Sequence, residues 1–295
     1  MEPGRFVTEK EAYQNCMSFS KVTKIGMQQL YAKEPLTFYG SIPVFSTTNI
    51  YTENYAKISA DHLISLQKNA TNPFIPEDLW IKMERSTVAL VQKYSRAGDM
   101  ILDVGVGLGR LLSHFPDLQK YGLDISYDYL QKAQEKGIEV CYALIEDMPY
   151  RKELFDIVVC TDVLEHVLDL NLCIQKILSV LKPEGTLIVR VPFREDLAPY
   201  TTDDCGYEFV HLRNFDEHSL RLLFEKIMNC KMIETTYAAY IPSASRLKYT
   251  LVAPLFNRIA ARFFWEGRRF WGMRLNDIVL KVLFYPAEIN CVIRK

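Results

Sequence analysis

Short apolar runs alternate with helical stretches along the chain from about residue 100 onward. Ser126 is expected to cap a helix that Gly137 ends, and the apolar spacing of residues 174–181 predicts another helix. Strands that alternate with amphipathic helices are typical of a mostly parallel sheet covered on both faces, with ligands at the carboxyl ends of its strands. Five apolar runs predict the strands: residues 101–104, 121–125, 138–143, 155–160 and 186–191.

A different pattern precedes this alternation. Residues 1–97 are polar with scattered aromatic side chains, and they end in a predicted helix at 76–94. We interpret residues 1–97 as an N-terminal cap or lid and residues 98–295 as a ligand-binding domain.

A segment at about 242–286 interrupts two candidate strands, 231–240 and 287–294. Its arginines interleave with phenylalanines and tryptophans, and it contains few acids. Three interpretations stay open: a helical insert that packs its aromatic residues on the sheet, a site for an anionic acceptor, or a peripheral contact with an anionic membrane that presents a lipid-linked acceptor.

Composition narrows the class of protein. A net charge of -1 over 295 residues argues against whole-chain attraction to nucleic acid, so no nucleic-acid partner is expected. The seven cysteines contain no C-x-x-C pair, which favours a reduced compartment and no zinc knuckle. Without a signal-like apolar segment near the start or a long uncharged span, the expected location is cytoplasmic.

The first predicted strand runs into a glycine-rich turn, Asp103-x-Gly105-x-Gly107-x-Gly109. A dinucleotide-binding fingerprint would place its third glycine at position 110, where this chain has Arg110, and this disfavours an NAD-dependent reductase. Backbone amides beside a carboxylate suit a ligand with a zwitterionic methionine end and a sulfonium. The turn therefore predicts S-adenosylmethionine.

Asp124 ends the second predicted strand about 20 residues past the glycines, where an acid can accept both ribose hydroxyls of an adenosine. The alternative is structural: Asp103 caps a turn and Asp124 caps the helix that follows it. The combined spacing favours an adenosine ligand.

Further motifs follow in order. They are Leu123-Asp124-Ile125-Ser126, Glu146-Asp147-Met148-Pro149-Tyr150, Phe155-Asp156-Ile157-Val158, Asp162-Val163-Leu164-Glu165-His166-Val167 and Leu181-Lys182-Pro183-Glu184-Gly185. With the glycine turn, the series resembles the class I S-adenosylmethionine-dependent methyltransferases, in the small-molecule branch similar to ubiquinone-pathway and sugar or natural-product O-methyltransferases. The resemblance implies an α/β fold with a Rossmann-like, doubly wound, seven-stranded sheet. That sheet is mostly parallel with an antiparallel last strand, and it carries an N-terminal helical cap and a helical insert before the last strand.

The resemblance also implies a cofactor site. Gly105 and Gly107 would face the methionine moiety, with Asp103 as the nearby carboxylate, and Asp124 would bind the ribose. Leu144 departs from the family pattern, because an acid usually stands there to bind the adenine amino group. The remaining expected contacts are Ile125 on the adenine face, Ile145 and Glu146 at the adenine edge, and Cys160 near the sulfonium.

Transfer to a hydroxyl requires removal of its proton, for which histidine is the usual base near neutral pH. His166, after the fourth strand, and His211, after the fifth, are the candidates, and each could instead be structural. Asp162, Glu165 and His166 with a later histidine resemble a divalent-metal set of some relatives, but we predict no metal. The acids Glu195, Asp196, Asp203 and Asp204 have two interpretations: they face hydroxyls or ammonium groups of the acceptor, or, as we mainly expect, they are solvated loop residues.

The sequence thus predicts an S-adenosylmethionine-dependent methyltransferase that O-methylates a small hydroxylated acceptor, with a sugar of a polysaccharide or a natural product as the leading class. One alternative is a metal-assisted reaction or N-methylation of another small molecule. A second alternative is a non-catalytic regulatory protein that binds S-adenosylmethionine, which Leu144 favours. Acceptor specificity resides in variable regions, so the resemblance does not give the acceptor.

Overall fold

The computed structural model describes residues 21–202, 206–242 and 284–295. The N-terminal elements are α1 (Lys21–Leu30), β1 (Thr37–Tyr39), β2 (Ile42–Val44), α2 (Ile50–Asn69) and α3 (Glu77–Tyr94). The central elements are β3 (Met100–Val104), β4 (Gln119–Asp124), α4 (Tyr127–Glu135), β5 (Glu139–Tyr142), β6 (Phe155–Thr161), α5 (Leu170–Val180) and β7 (Leu181–Pro192). The last elements are α6 (Glu217–Arg221), the π-helix Leu222–Ile227 that continues it, β8 (Lys231–Pro242) and β9 (Phe284–Arg294).

The strands form one nine-stranded sheet in the order β1-β2-β5-β4-β3-β6-β7-β9-β8. Strands β5, β4, β3, β6 and β7 pair in parallel, and β9 is antiparallel to both β7 and β8. The Rossmann-like α/β fold and the antiparallel last strand are therefore confirmed. The predicted count of seven strands is too low, because β1 and β2 add a hairpin at the edge next to β5.

The local signals that start and end the predicted helices are visible in the structure. The helix predicted at 76–94 is α3, for which Pro76 is the N-cap residue. The side chain of Ser126 accepts a hydrogen bond from the Tyr129 amide at 3.3 Å and caps α4, as predicted. Asp124 is therefore not the cap of this helix, which was the structural alternative for it.

Apolar side chains fill both faces of the sheet. Since neighbouring side chains of a strand point to opposite faces, Ile101 of β3 packs on one face while Leu102 and Val104 pack on the other. Helix α3 lies on the Ile101 face, where the Thr87 hydroxyl donates to Asn290 of β9 at 3.2 Å. The core therefore fixes the carboxyl ends of the central strands relative to one another.

The N-terminal elements are bound to the sheet, since β2 extends it and α3 packs against it. The proposed division at residue 97 stays a prediction. Most of the predicted insert at about 242–286 lies outside the described residues, as do Asp203 and Asp204. Among the helices that the structure describes, none has the length and apolar character needed to span a membrane.

Candidate functional site

The glycine turn after β3 requires glycine for conformational and steric reasons. Gly105 and Gly109 have φ values of 81° and 69°, in the left-handed region that other residues rarely adopt. A Cβ on Gly105 would lie 2.3 Å from Val163 Cγ2, and one on Gly109 would lie 2.6 Å from Ile138 Cδ1. The turn can therefore pass close to the loop after β6, as the sequence motif requires.

Asp124 sits at the carboxyl end of β4 and holds the glycine turn in place. Its Oδ2 accepts a hydrogen bond from the Gly107 amide at 2.8 Å, and its Oδ1 accepts from the amides of Ile125 at 2.7 Å and Ser126 at 2.9 Å. Burial raises the pKa of this carboxyl to about 6, although the three amide bonds oppose that rise.

A cavity opens at the carboxyl ends of the parallel strands, where small ligands bind in open α/β sheets. Leu144 also lines the cavity, so the departure from the family pattern lies at the site itself. Five predicted cofactor residues line it: Gly105, Asp124, Ile125, Ile145 and Glu146.

Two predicted cofactor residues lie behind the cavity wall. Cys160 is completely buried in the core, and its side chain does not line the cavity, so its approach to the sulfonium stays a prediction. Asp162 and Val163, which directly follow β6, line the cavity, and Asp162 has a φ of 56°. Asp103 is 2% exposed, and its Oδ1 has no hydrogen-bond partner among the described residues.

Two tyrosines of the cavity wall were not predicted from the sequence. Tyr51 and Tyr55, on α2, line the cavity. Burial raises the pKa of both phenols well above the ordinary value, so both stay neutral. Their spacing of four residues places them on one helix face, but the sequence does not indicate what that face covers.

The two predicted catalytic histidines lie together beside the cavity. The ring centroids of His166 and His211 are 4.6 Å apart, with the ring planes at 79°. His166 lines the cavity, and its Nδ1 donates to the Val210 carbonyl at 2.9 Å. Burial, with a further contribution from His211, lowers the pKa of His166 to about 4. His166 is therefore neutral at neutral pH.

Glu195 orients His211. The Nδ1 of His211 contacts the Glu195 carboxylate, whose other oxygen accepts a hydrogen bond from the Tyr200 hydroxyl at 2.8 Å. A carboxylate on Nδ1 leaves Nε2 as the basic nitrogen. The expectation that Glu195 is a solvated loop residue is therefore wrong, because its carboxylate is mostly covered and pairs with His211.

A buried charge network lies under the histidines. Arg190 of β7, only 4% exposed, binds Asp162 through Nη2–Oδ2 at 2.5 Å and Nε–Oδ1 at 3.1 Å. Glu165 is fully buried, and neither of its carboxyl oxygens has a partner in the described part of the chain. Burial raises the pKa of Glu165 well above its ordinary value.

Part of the metal-like set is assembled. Ligand atoms of Glu165, His166 and His211 all lie within 4.8 Å of one another. Asp162, the fourth member suggested by the sequence, is instead paired with Arg190.

Comparisons with known proteins agree with this geometry. Residues 102–189 match the family model described as a methyltransferase domain. The chain is 37% identical over 132 residues to a ubiquinone biosynthesis O-methyltransferase of Pseudomonas putida, covering 40% of this chain and 55% of that protein. It is 35% identical over 109 residues to an uncharacterised protein of Methanocaldococcus jannaschii, covering 37% and 48% of the two chains. The chain spans about half the length of these curated relatives.

Solved structures share the fold. A chain from the complex between the Haloferax volcanii Trm112 methyltransferase activator and a methyltransferase superposes with a TM-score of 0.54 at 16% identity, covering 84% of this chain and 99% of that one. An S-adenosylmethionine-dependent methyltransferase of Thermotoga maritima gives a TM-score of 0.52 at 15% identity, covering 83% and 99%. The matched segment, residues 102–189, is a methyltransferase domain similar to the class I S-adenosylmethionine-dependent methyltransferases, as the motif series predicted. The cofactor of that family is S-adenosylmethionine.

The residues present fit this cofactor. The cavity lies where the parallel strands end, and Gly105 of the glycine turn lines it. The buried carboxyl of Asp103, one oxygen of which has no partner among the described residues, lies on β3 two residues before Gly105 and can accept a hydrogen bond there. Asp124 and Ile125 line the same cavity, as ribose and adenine contacts require.

Proposed function

We propose that this protein transfers a methyl group from S-adenosylmethionine to a hydroxyl of a small acceptor. The observation that carries the proposal is the pair of histidines beside the cofactor cavity, with His211 oriented by Glu195. A base next to the site of transfer is needed for a hydroxyl acceptor, whose proton must leave as the new bond forms.

The two histidines have different roles. His211 is the general base, because Glu195 stabilises the imidazolium that forms when Nε2 takes the acceptor proton. His166 has a pKa of about 4 and is a weak base, so it accepts a hydrogen bond from a neighbouring hydroxyl of the acceptor and orients the acceptor. The cofactor supplies a methyl group on a positive sulfonium, which is a good leaving group, and positioning contributes the rest of the acceleration.

A sugar of a polysaccharide or a natural product is the proposed class of acceptor. Two of the curated relatives are named as O-methyltransferases: the ubiquinone biosynthesis enzyme of Pseudomonas putida and a tRNA (carboxymethyluridine(34)-5-O)-methyltransferase of Arabidopsis thaliana. The latter is 34% identical over 98 residues, which are 32% of this chain and 24% of that protein. Their names support transfer to oxygen. A small-molecule acceptor without nucleic acid remains our proposal for this chain.

The test is untargeted. The protein is incubated with S-adenosylmethionine labelled in the methyl group and with extracts of small molecules, polysaccharide fragments and RNA, and the labelled product is identified. We expect an O-methylated small molecule whose labelling is lost in His211→Ala. Labelled RNA would contradict the proposed acceptor class. Binding of S-adenosylhomocysteine without labelling of any fraction would favour the non-catalytic regulatory alternative.

A metal-assisted reaction is the second candidate, favoured by the clustering of Glu165, His166 and His211. Carboxylate and imidazole ligands suit divalent ions such as Mg²⁺ or Zn²⁺. Calorimetric titration of the protein with Zn²⁺ or Mg²⁺ would support it if the heat of binding disappears in Glu165→Gln. Labelling that EDTA and added magnesium leave unchanged would contradict it.

A further inference from the structure

A short segment, residues 206–212, lies between helix α2 and the loop after β6 and carries His211. Two hydrogen bonds hold the segment to that loop. His166 Nδ1 donates to the Val210 carbonyl at 2.9 Å, and the Leu212 amide donates to the Glu165 carbonyl at 2.8 Å. His211 lies between Val210 and Leu212 in the sequence, so these two hydrogen bonds place it beside His166.

Asn54 of α2 binds the opposite side of the same segment. Its Nδ2 donates to the Phe209 carbonyl at 2.8 Å, and its Oδ1 accepts from the Glu208 amide at 2.9 Å. Asn54 is 4% exposed. Because a shift of either partner would leave buried polar groups without hydrogen bonds, this contact tolerates little displacement.

The helix that carries Asn54 also covers the cofactor cavity. Tyr51 and Tyr55, which flank Asn54 in the sequence, line the cavity. The Tyr51 ring stacks on Phe209 with centroids 6.0 Å apart, and the Tyr55 ring meets His166 edge-on at 6.2 Å. Helix α2, the cavity wall and the His211 segment therefore form one continuous set of contacts.

We propose that Asn54 is a positioning residue that couples closure of α2 over the cofactor cavity to the placement of His211. The role of His211 as the base rests on the proposed function, whereas the coupling itself does not. Movement of α2 away from the cavity breaks both Asn54 hydrogen bonds and removes support from the segment two residues before His211. The base is therefore in place only when the cavity is closed.

The test compares Asn54→Ala with Lys57→Ala, a change at an exposed position of the same helix. S-adenosylhomocysteine binding is measured by calorimetry, and carbethoxylation of each histidine by diethylpyrocarbonate is followed by peptide mass spectrometry. His114, with a side chain 45% exposed, is the internal reference. Neither measurement needs methyl transfer, so a negative result here is distinct from failure of the proposed function.

Saturating S-adenosylhomocysteine is expected to slow modification of His211 in the parent protein and in Lys57→Ala. In Asn54→Ala, ligand affinity should fall, and His211 should react roughly five- to tenfold faster with ligand bound, as loss of one to two hydrogen bonds predicts. The His114 rate should stay unchanged. Equal His211 rates in the parent and Asn54→Ala would overturn the proposal, and so would a uniform rise at all histidines.

If Asn54→Ala does not fold, Asn54→Asp replaces it. This variant has the same size and keeps an acceptor for the Glu208 amide, but it loses the donor to the Phe209 carbonyl. We expect the same selective rise at His211, with a smaller magnitude. A His211 rate equal to that of the parent would overturn the coupling.

Discussion

At the scale of single residues, Asp124 joins the structure of the glycine turn to the binding of the cofactor. Its carboxylate accepts the Gly107 amide and also lines the cavity. Asp124→Ala should lower the affinity for S-adenosylhomocysteine about 10- to 100-fold, because charged hydrogen bonds contribute roughly 1.5–3 kcal/mol each. Calorimetry tests this, with the exposed neighbour Asp128→Ala as the matched control. An affinity for Asp124→Ala within twofold of the parent would contradict the assignment.

The titration of Asp124 gives a second prediction. Burial raises the pKa of Asp124 to about 6, so the free protein gains a proton there as the pH falls through this value. A protonated carboxyl accepts hydrogen bonds less well, so the affinity for S-adenosylhomocysteine should fall on the acid side of about pH 6. The measurement is calorimetry across this range. The dependence should vanish in Asp124→Asn, and an affinity that rises toward acid would show that the carboxylate form is not required.

His211 and Glu195 define the proposed base. His211→Ala should lower kcat by about 10²- to 10⁴-fold while S-adenosylhomocysteine binding stays near that of the parent, since general-base catalysis contributes an effect of this size. Glu195→Gln should lower kcat in the same direction, because the neutral amide no longer stabilises the imidazolium. Both are measured with the acceptor identified by labelling. The exposed His218→Ala is the control, and a parent-like kcat in His211→Ala would remove His211 from the mechanism.

The local part of the site was predictable from the sequence, and the long-range part was not. Gly105, Gly107 and Asp124 follow from the spacing within one strand–turn–strand unit, where chain connectivity fixes the geometry. The contact of Glu195 with His211 depends on how two loops meet in space, and Tyr51 reaches the cavity from a helix far earlier in the chain. No local pattern encodes either contact.

At the scale of secondary structure elements, the difference between local and long-range contacts also explains which strands of the sheet could be predicted. The central strands are buried on both faces, so their apolar runs are visible in the sequence. Strands β1 and β2 have three residues each and turn at Gly40, which has a φ of 60°, and so short a pair gives no periodic signal. Strand β2 pairs with β5 at one register position, Val44 with Tyr142, which only the folded chain supplies.

The buried Arg190 of β7 pairs with Asp162, which follows β6 and is partly exposed. Arg190→Met should lower the free energy of unfolding by about 1–3 kcal/mol, because it removes the charged hydrogen bonds to Asp162 and the buried one to Thr87. Urea denaturation measures this. Lys182→Met, which breaks the pair of a more exposed cation with Asp156, should cost less than about 1 kcal/mol. Equal losses in the two variants would show that burial does not set the strength of the Arg190 pair.

At the scale of the whole molecule, buried carboxyls near the site should dominate the dependence of stability on pH. Burial raises the pKa of Asp103, Asp124, Glu165 and Glu288 above their ordinary values. The folded protein therefore holds protons that the unfolded chain releases, and stability falls as the pH rises from about 4 through the folded-state pKa values, such as that of Asp124 at about 6. His166 acts in the opposite direction, since its folded pKa of about 4 lies below the unfolded value of 6.5.

With Glu139 included, five carboxyls of the described residues have a raised pKa and oppose two histidines with a lowered one, His166 and His62, so the protein without ligand should unfold at a lower urea concentration at about pH 8 than at about pH 5.5. Glu288→Gln should weaken this dependence, because an amide keeps the volume of the side chain but has no proton to release. Glu234→Gln is the control. Hydrogen bonds from Lys93 and Tyr94 lower the pKa of this surface carboxyl, so it contributes no loss of stability as the pH rises. Replacing Glu234 should therefore leave the dependence of stability on pH in place. A stability that rises from about pH 5.5 to about pH 8 would show that the two histidines, and not the carboxyls, control the balance.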